Sequence, residues 1–146
     1  MGIFHAVDIS ARGVTAERFR MDTIAQNIAN INTTRTEDGT PYRRKIVTFA
    51  EKTETPFSQY YETARARAVG NGVKVTSVKE DDETEMRMVY DPSHPDADEN
   101  GYVTYPNVNT VTEMTNLIDA TRAYEANTTA FDATKSMVQA ALNISK

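Results

Sequence analysis

Apolar residues recur every seventh position towards both ends of the chain. In the C-terminal third the series is Leu117, Tyr124, Phe131 and Val138, and no Pro or Gly interrupts Thr110 to Ile144. Such sustained spacing marks a helix that packs lengthwise against another helix. Met114 and Leu142 fall at the matching half-heptad positions, whereas Thr121, Thr128 and Lys135 hold the others. A second series, Ala123, Ala130, Met137 and Ile144, is offset by one residue from the first and so lies about 100° around the axis. The helix therefore carries a broad, two-sided apolar surface. Two readings stand open: a long core helix of a globular domain, or a helix that meets several neighbours at once, as in a polymer. Thr110-Val111-Thr112-Glu113 predicts a capping box, with the Thr hydroxyl accepting from the Glu113 amide and the Glu side chain reaching back to Thr110. At ~1.5 Å per residue the helix would be roughly 50 Å long. A compact domain of this size has a radius of gyration of about 15 Å, so the rod protrudes or pairs with something equally long.

The same pattern opens the chain. Val7, Val14, Met21 and Ile28 are seven apart, and apolar steps of three and four predict a helix over residues 3–31, with Arg18 as the exception. Gly13 costs this helix roughly 1 kcal/mol relative to Ala. Isolated helices are marginal in water. Pairing the two ends into a hairpin is the economical solution. Asn27, Asn30 and Asn32 crowd the end of the first helix, where side chains that compete for backbone hydrogen bonds suit a stop and a turn.

The middle switches to shorter elements. Glu37-Asp38-Gly39-Thr40-Pro41 is a turn signal. Tyr42 to Phe49 predicts a strand, Asn71-Gly72 a hairpin-type turn, Val73 to Val78 a second strand and Glu85 to Tyr90 its return. Residues 51–71 show no period and read as a loop, mobile or ordered by a partner. Asp91 to Asn109 reads as an extended lead into the last helix. The expected fold class is α+β: terminal helices (1–34 and 110–146) paired as a coiled-coil hairpin, with a small β-rich domain over 35–109.

Composition narrows the possibilities. Of 146 residues, 39% are hydrophobic and none is Trp, so the core is thin or elongated. A net charge of −5 argues against a general nucleic-acid binder. With no Cys, disulfides, thiolate metal sites and cysteine nucleophiles are excluded together. No apolar run is long enough to span a membrane, and the N-terminus lacks the pattern of a cleavable secretory signal.

Candidate chemistry is sparse. Asp96-Ala97-Asp98-Glu99-Asn100-Gly101 matches the first half of an EF-hand loop, but position twelve is Asn107 rather than Glu, and Pro92 and Pro95 occupy the upstream helix. A small acidic Ca²⁺-responsive module built on 96–101 is the alternative reading; an acidic turn is the plainer one. His94 lies near Asp91 and Asp96, but only His5 joins it in the chain, a poor metal set. Arg43-Arg44-Lys45 is expected to be a solvated strand face rather than an anion site. Residues 80–99 hold nine acids and one base, a negative patch expected on solvated loop and edge. No catalytic constellation emerges, and no cofactor or metal is expected.

Taken together, several motifs resemble the bacterial flagellar basal-body rod family, of the proximal-rod, FlgC type. They are Asn27-Ile28-Ala29-Asn30, Gly39-Thr40-Pro41-Tyr42-Arg43, Gly72-Val73-Lys74-Val75, the block from Tyr90 to Val103 with Pro106-Asn107-Val108-Asn109 behind it, and Arg122-Ala123-Tyr124-Glu125-Ala126-Asn127 with Lys135. The short middle suits that type. The resemblance implies a structural subunit and no enzyme. It implies terminal helices facing an axial channel, export through the flagellar type III apparatus, and helical self-association in the periplasm. Other rod proteins and the hook–basal-body complex protein at the rod base would be partners, with no nucleic acid and no membrane insertion. The expected assembly residues are Val7, Val14, Met21, Asn27, Ile28 and Asn30 on the first helix. On the last they are Leu117, Tyr124, Phe131 and Val138 with Ala123, Ala130, Met137 and Ile144.

Overall fold

The computed structural model describes residues 3–52 and 70–144. The order is α1 (Ile3–Ala29), β1 (Lys45–Glu51), β2 (Val73–Glu80), β3 (Arg87–Tyr90), β4 (Tyr102–Tyr105) and α2 (Thr110–Ile144). This is an α+β chain. Both helices stand where the heptads put them, α1 ending two residues early. The expected loop 51–71 lies mostly outside the described residues.

Pairing of the strands departs from expectation. β2 does not return onto β3; it pairs with β1, and β3 pairs with β4. Backbone bonds from Lys52 N to Gly72 O (2.8 Å) and Asp81 N to Arg44 O (2.8 Å) bracket the first pair and make it antiparallel. Gly72 holds φ +84°, a left-handed turn conformation at the entry to β2. β4 falls within the stretch expected to be merely extended. Its sequence Tyr-Val-Thr-Tyr is β-branched and aromatic throughout.

The start of α2 is also capped differently. Asn109, not Thr110, is the cap: its Oδ1 accepts from the amides of Val111 (2.9 Å) and Thr112 (3.2 Å). Asn ranks above Thr at this position. Glu113 is thereby released from the capping box.

The chain divides into two compact units: Met1–Phe19, Thr48–Ser77 and Ala120–Lys146 form one, Arg20–Val47 and Val78–Asp119 the other. In the first, the buried positions are small. Ala16 and Ala120 are buried, and Gly13 meets Asn127 so closely that a Cβ there would lie 2.5 Å from Asn127 Oδ1. In the second, Ile24, Tyr42 and Val103 are buried with an unusual share of polar side chains, Asn27, Asp81, Asn107 and Glu113 among them.

Burial along α2 corrects the expected half-heptad. Leu117, Tyr124, Phe131 and Val138 are half-buried, but their companions are Glu113, Ala120, Asn127 and Thr134. Of the expected half-heptad positions, Met114, Lys135 and Leu142 are exposed, while Thr121 and Thr128 are half-buried. Neighbours three and four residues away lie on the same helix face; Glu113 is turned inward because its carboxylate finds Asn27 and Arg44 there, whereas Asn127 and Thr134 donate to the Ala123 and Ala130 carbonyls of their own helix.

Candidate functional site

The most constrained place in the chain is a polar cluster in the second unit. Asn27, in the last turns of α1, is 1% exposed. Its Nδ2 donates to the carbonyl of Lys45 (2.9 Å) and to Glu113 Oε2 (3.0 Å). Its Oδ1 accepts from the Tyr42 hydroxyl (2.9 Å) and the Lys45 amide (2.9 Å). All four hydrogen-bonding positions of this amide are therefore used. Glu113, also 1% exposed, accepts from Arg44 Nε through its other oxygen at 2.8 Å.

The network continues into the strands. Arg44 Nη1 lies 3.5 Å from Asp81 Oδ2, and its backbone amide donates to Asn107 Oδ1 at 2.9 Å. Asn107 Nδ2 donates to the carbonyls of Asp81 (2.8 Å) and Thr84 (3.2 Å). Asp81 accepts from the Thr84 amide and hydroxyl and from the Glu83 amide. Those Thr84 bonds, above all, hold the Asp81 carboxyl below its ordinary value of 3.8, with Arg44 adding to them against a smaller opposing effect of burial. Burial pushes the Tyr42 phenol above 10.0, helped by the negative charges of Glu80 and Glu113.

The cluster thus ties the end of α1, the start of β1, the end of β2 and the start of α2 to one another. Every side chain in it is engaged by another side chain or by backbone. It is built to hold geometry rather than to attack or to exchange protons, because a catalytic group must offer a lone pair or proton to a substrate. The basic run is explained here too. Arg44 is inside the network and Arg43 pairs with Asp82 at 3.0 Å. Arg44 therefore departs from the expected solvated face, while Arg43 stays partly exposed in a surface pair. No sequence period marks Glu113 or Asn107 as buried, since such groups are tolerated inside only where tertiary structure supplies partners.

The 96–101 segment is an ordinary turn. Asp98 Oδ1 accepts from the amides of Asn100 (2.9 Å) and Tyr102 (2.8 Å), and Gly101 takes φ +80°. Asp96 accepts from the Thr34 hydroxyl at 2.8 Å and lies 3.8 Å from Arg35. His94 Nδ1 accepts from the Asp96 amide at 3.1 Å. Nothing here supports a Ca²⁺ module. Among the described residues no group of three or more His, Cys, Asp or Glu could hold a metal ion, and no helix is long and apolar enough to cross a membrane.

The expected assembly residues fall into three groups. Val7, Val14, Met21 and Ile28 on α1, and Leu117, Ala123, Tyr124, Phe131 and Val138 on α2, are half-buried. Asn27 is buried in the cluster; Asn30 closes the helix end, donating to the Gln26 carbonyl at 2.9 Å and accepting from the Thr33 hydroxyl at 3.1 Å. Ala130, Met137 and Ile144 are exposed.

Two family models match the chain. The model described as flagella basal body rod protein covers residues 8–35, and that of the flagellar basal body rod FlgEFG protein C-terminal covers 99–144. Between them they take in the part of α1 and the part of α2 that supply Asn27 and Glu113. Among curated proteins, the flagellar basal-body rod protein FlgC of Bacillus subtilis is 45% identical over 100% of both chains. FlgC of Borreliella burgdorferi is 43% identical over 99% of this chain and 98% of its own. FlgC of Salmonella typhimurium is 38% identical over 99% of this chain and 98% of its own.

Proposed function

As a member of the flagellar basal-body rod proteins of the FlgC type, the chain is a structural subunit of the rod, and we propose that it joins the rod by packing its terminal helices against neighbouring subunits. It belongs to the flagellar basal body and assembles with other rod and basal-body components. In the finer reading, segments 1–34 and 110–146 pair as a coiled coil towards the axial channel, and 35–109 lies outside. Helical stacking then contributes to the drive shaft and the export channel. The subunit reaches the periplasm through the type III apparatus. Its partners include copies of itself, other rod proteins and the hook–basal-body complex protein at the rod base.

One observation carries the assembly reading: α2 keeps large apolar side chains in water. Val111 is 74% exposed and Ile144 87%, with Met114, Ile118, Met137 and Leu142 exposed between them. Val111, Met114 and Ile118 follow at three and four residues on one helix face, and exposed apolar groups grouped in this way mark an interaction site. The polar cluster supports the same reading, since its satisfied groups serve rigidity, which a shaft subunit needs.

The test uses the second series on α2. Ala130 is exposed in the single chain, so Ala130→Glu should leave the purified subunit as helical as before by circular dichroism. It should abolish incorporation into the rod, because an unpartnered charge buried at a subunit contact costs several kcal/mol. Phe131→Ala should instead weaken the subunit itself, by about 2 kcal/mol for a half-buried ring. Normal swimming by cells carrying Ala130→Glu would refute the multi-neighbour reading.

A further inference from the structure

The β3–β4 ribbon keeps one apolar face in water. Its register sets Met88 opposite Thr104, Val89 opposite Val103 and Tyr90 opposite Tyr102. Side chains alternate across a strand, and directly opposed residues share a face. Val103 is fully buried on one face. The other holds Met88, Tyr90, Tyr102 and Thr104, with Met88 and Tyr90 61% and 64% exposed. The two tyrosines sit edge to face, ring centroids 5.3 Å apart, and form a single aromatic knob. Its rim is acidic. Asp81, Asp82 and Asp96 are paired with Arg44, Arg43 and Arg35. Glu85 and Glu99, three residues before Met88 and Tyr102, are exposed and take part in no ion pair among the described residues.

The first unit carries the counterpart. Between α1 and β2 lies a groove of about 460 Å³, floored by Ala11, Ala16, Val73 and Val75. A cavity of this size can enclose a small ligand, and so the ends of a Met and a Tyr side chain. Its charge is of the opposite sign. Asp8, the acid that lines it, is tied to Arg12 at 2.8 Å. Lys74 stands at the rim, and Arg18 follows one turn beyond the lining residue Thr15 on the same face of α1. Both bases are exposed and take part in no ion pair among the described residues. An aromatic anchor for an apolar pocket, with opposite charges around each, is the arrangement that gives a protein contact its affinity and its register.

We propose that the Met88–Tyr90–Tyr102 face of one copy docks in the α1–β2 groove of a second copy, with Glu85 and Glu99 facing that copy's Lys74 and Arg18. Such a contact joins two different patches, so the pair keeps one free knob and one free groove, and the association propagates. The proposal rests on the reading of the chain as an assembling subunit, and it names one contact within that assembly.

The experiment is sedimentation velocity of the full-length purified chain over a concentration series. Association that grows with concentration is expected, weakened about tenfold or more by Met88→Ser with Tyr90→Ser, as for loss of anchor residues. Two charge reversals form the second arm: Glu85→Lys with Glu99→Lys in one chain, and Arg18→Glu with Lys74→Glu in another. Each should abolish self-association, because every copy then brings like charges to its own contact. All four positions are exposed, and circular dichroism checks each variant's fold. An equimolar mixture of the two reversed chains should associate as the native chain does, since each groove again meets a ribbon of opposite charge. The proposal is overturned if the native chain stays monomeric throughout, if the anchor pair or either reversal leaves association unchanged, or if the mixture fails to recover it. Those outcomes leave the assembly reading standing, because Ala130→Glu tests it separately in cells.

Discussion

Arg44→Met tests whether the polar cluster holds the subunit together. The substitution removes the donor 2.8 Å from Glu113 Oε1 and keeps most of the side chain's apolar volume. Glu113 is then left at 1% exposure with only the Asn27 amide against its charge. Breaking a buried pair by removing one partner costs about 3–5 kcal/mol. The lower end applies, because the Arg44 side chain is 25% exposed and the ion pair gives up part of its strength to water. About 3 kcal/mol, in a chain of this length, lowers the melting temperature by about 10 °C. Urea and thermal unfolding of the purified subunit, followed by circular dichroism, measure the change. The second arm is the double variant Arg44→Met with Glu113→Gln. Neutralising the orphaned carboxylate should recover roughly half of the loss, because Gln still accepts from Asn27 and no charge is left buried. The reasoning fails if Arg44→Met costs less than about 1 kcal/mol, or if the double variant is no more stable than the single one.

Two other outcomes follow from the same geometry. Asp81 is held below its ordinary value of 3.8, so its contribution to stability is fully present above that value and is lost as pH falls through the lower folded-state value; Thr84→Ala should shrink this acid-side loss in urea midpoints measured against pH. At Gly13, an added methyl gains about 1 kcal/mol of helix propensity but meets Asn127 Oδ1 at 2.5 Å, so Gly13→Ala should lower stability by about 1 kcal/mol, and adding Asn127→Ala should restore it.

Much of the architecture is local and was legible in the chain. Both long helices follow from uninterrupted three-and-four apolar spacing. The left-handed turns at Gly39, Gly72 and Gly101 sit where only glycine is comfortable. The heptad of Leu117, Tyr124, Phe131 and Val138 is half-buried as its spacing requires. The motifs from Asn27 to Asn30 and from Tyr90 to Val103 carried the family, which the relatives then showed.

Tertiary structure decided what spacing leaves degenerate. Residues three and four positions away share a helix face, so the sequence could not choose between Met114 and Glu113 as the inward neighbour of Leu117. Apolarity favoured Met114. The structure turns Glu113 inward because Asn27 and Arg44, distant in sequence, supply its hydrogen bonds. Strand partners are likewise non-local: nothing in Val73–Glu80 says that its ladder bonds go to Lys45–Glu51 rather than to Arg87–Tyr90. Asn109 outranks Thr110 as a cap, and that preference was readable. The role of Glu113 was not, because a carboxylate reads as surface until the fold brings its partners within 3 Å.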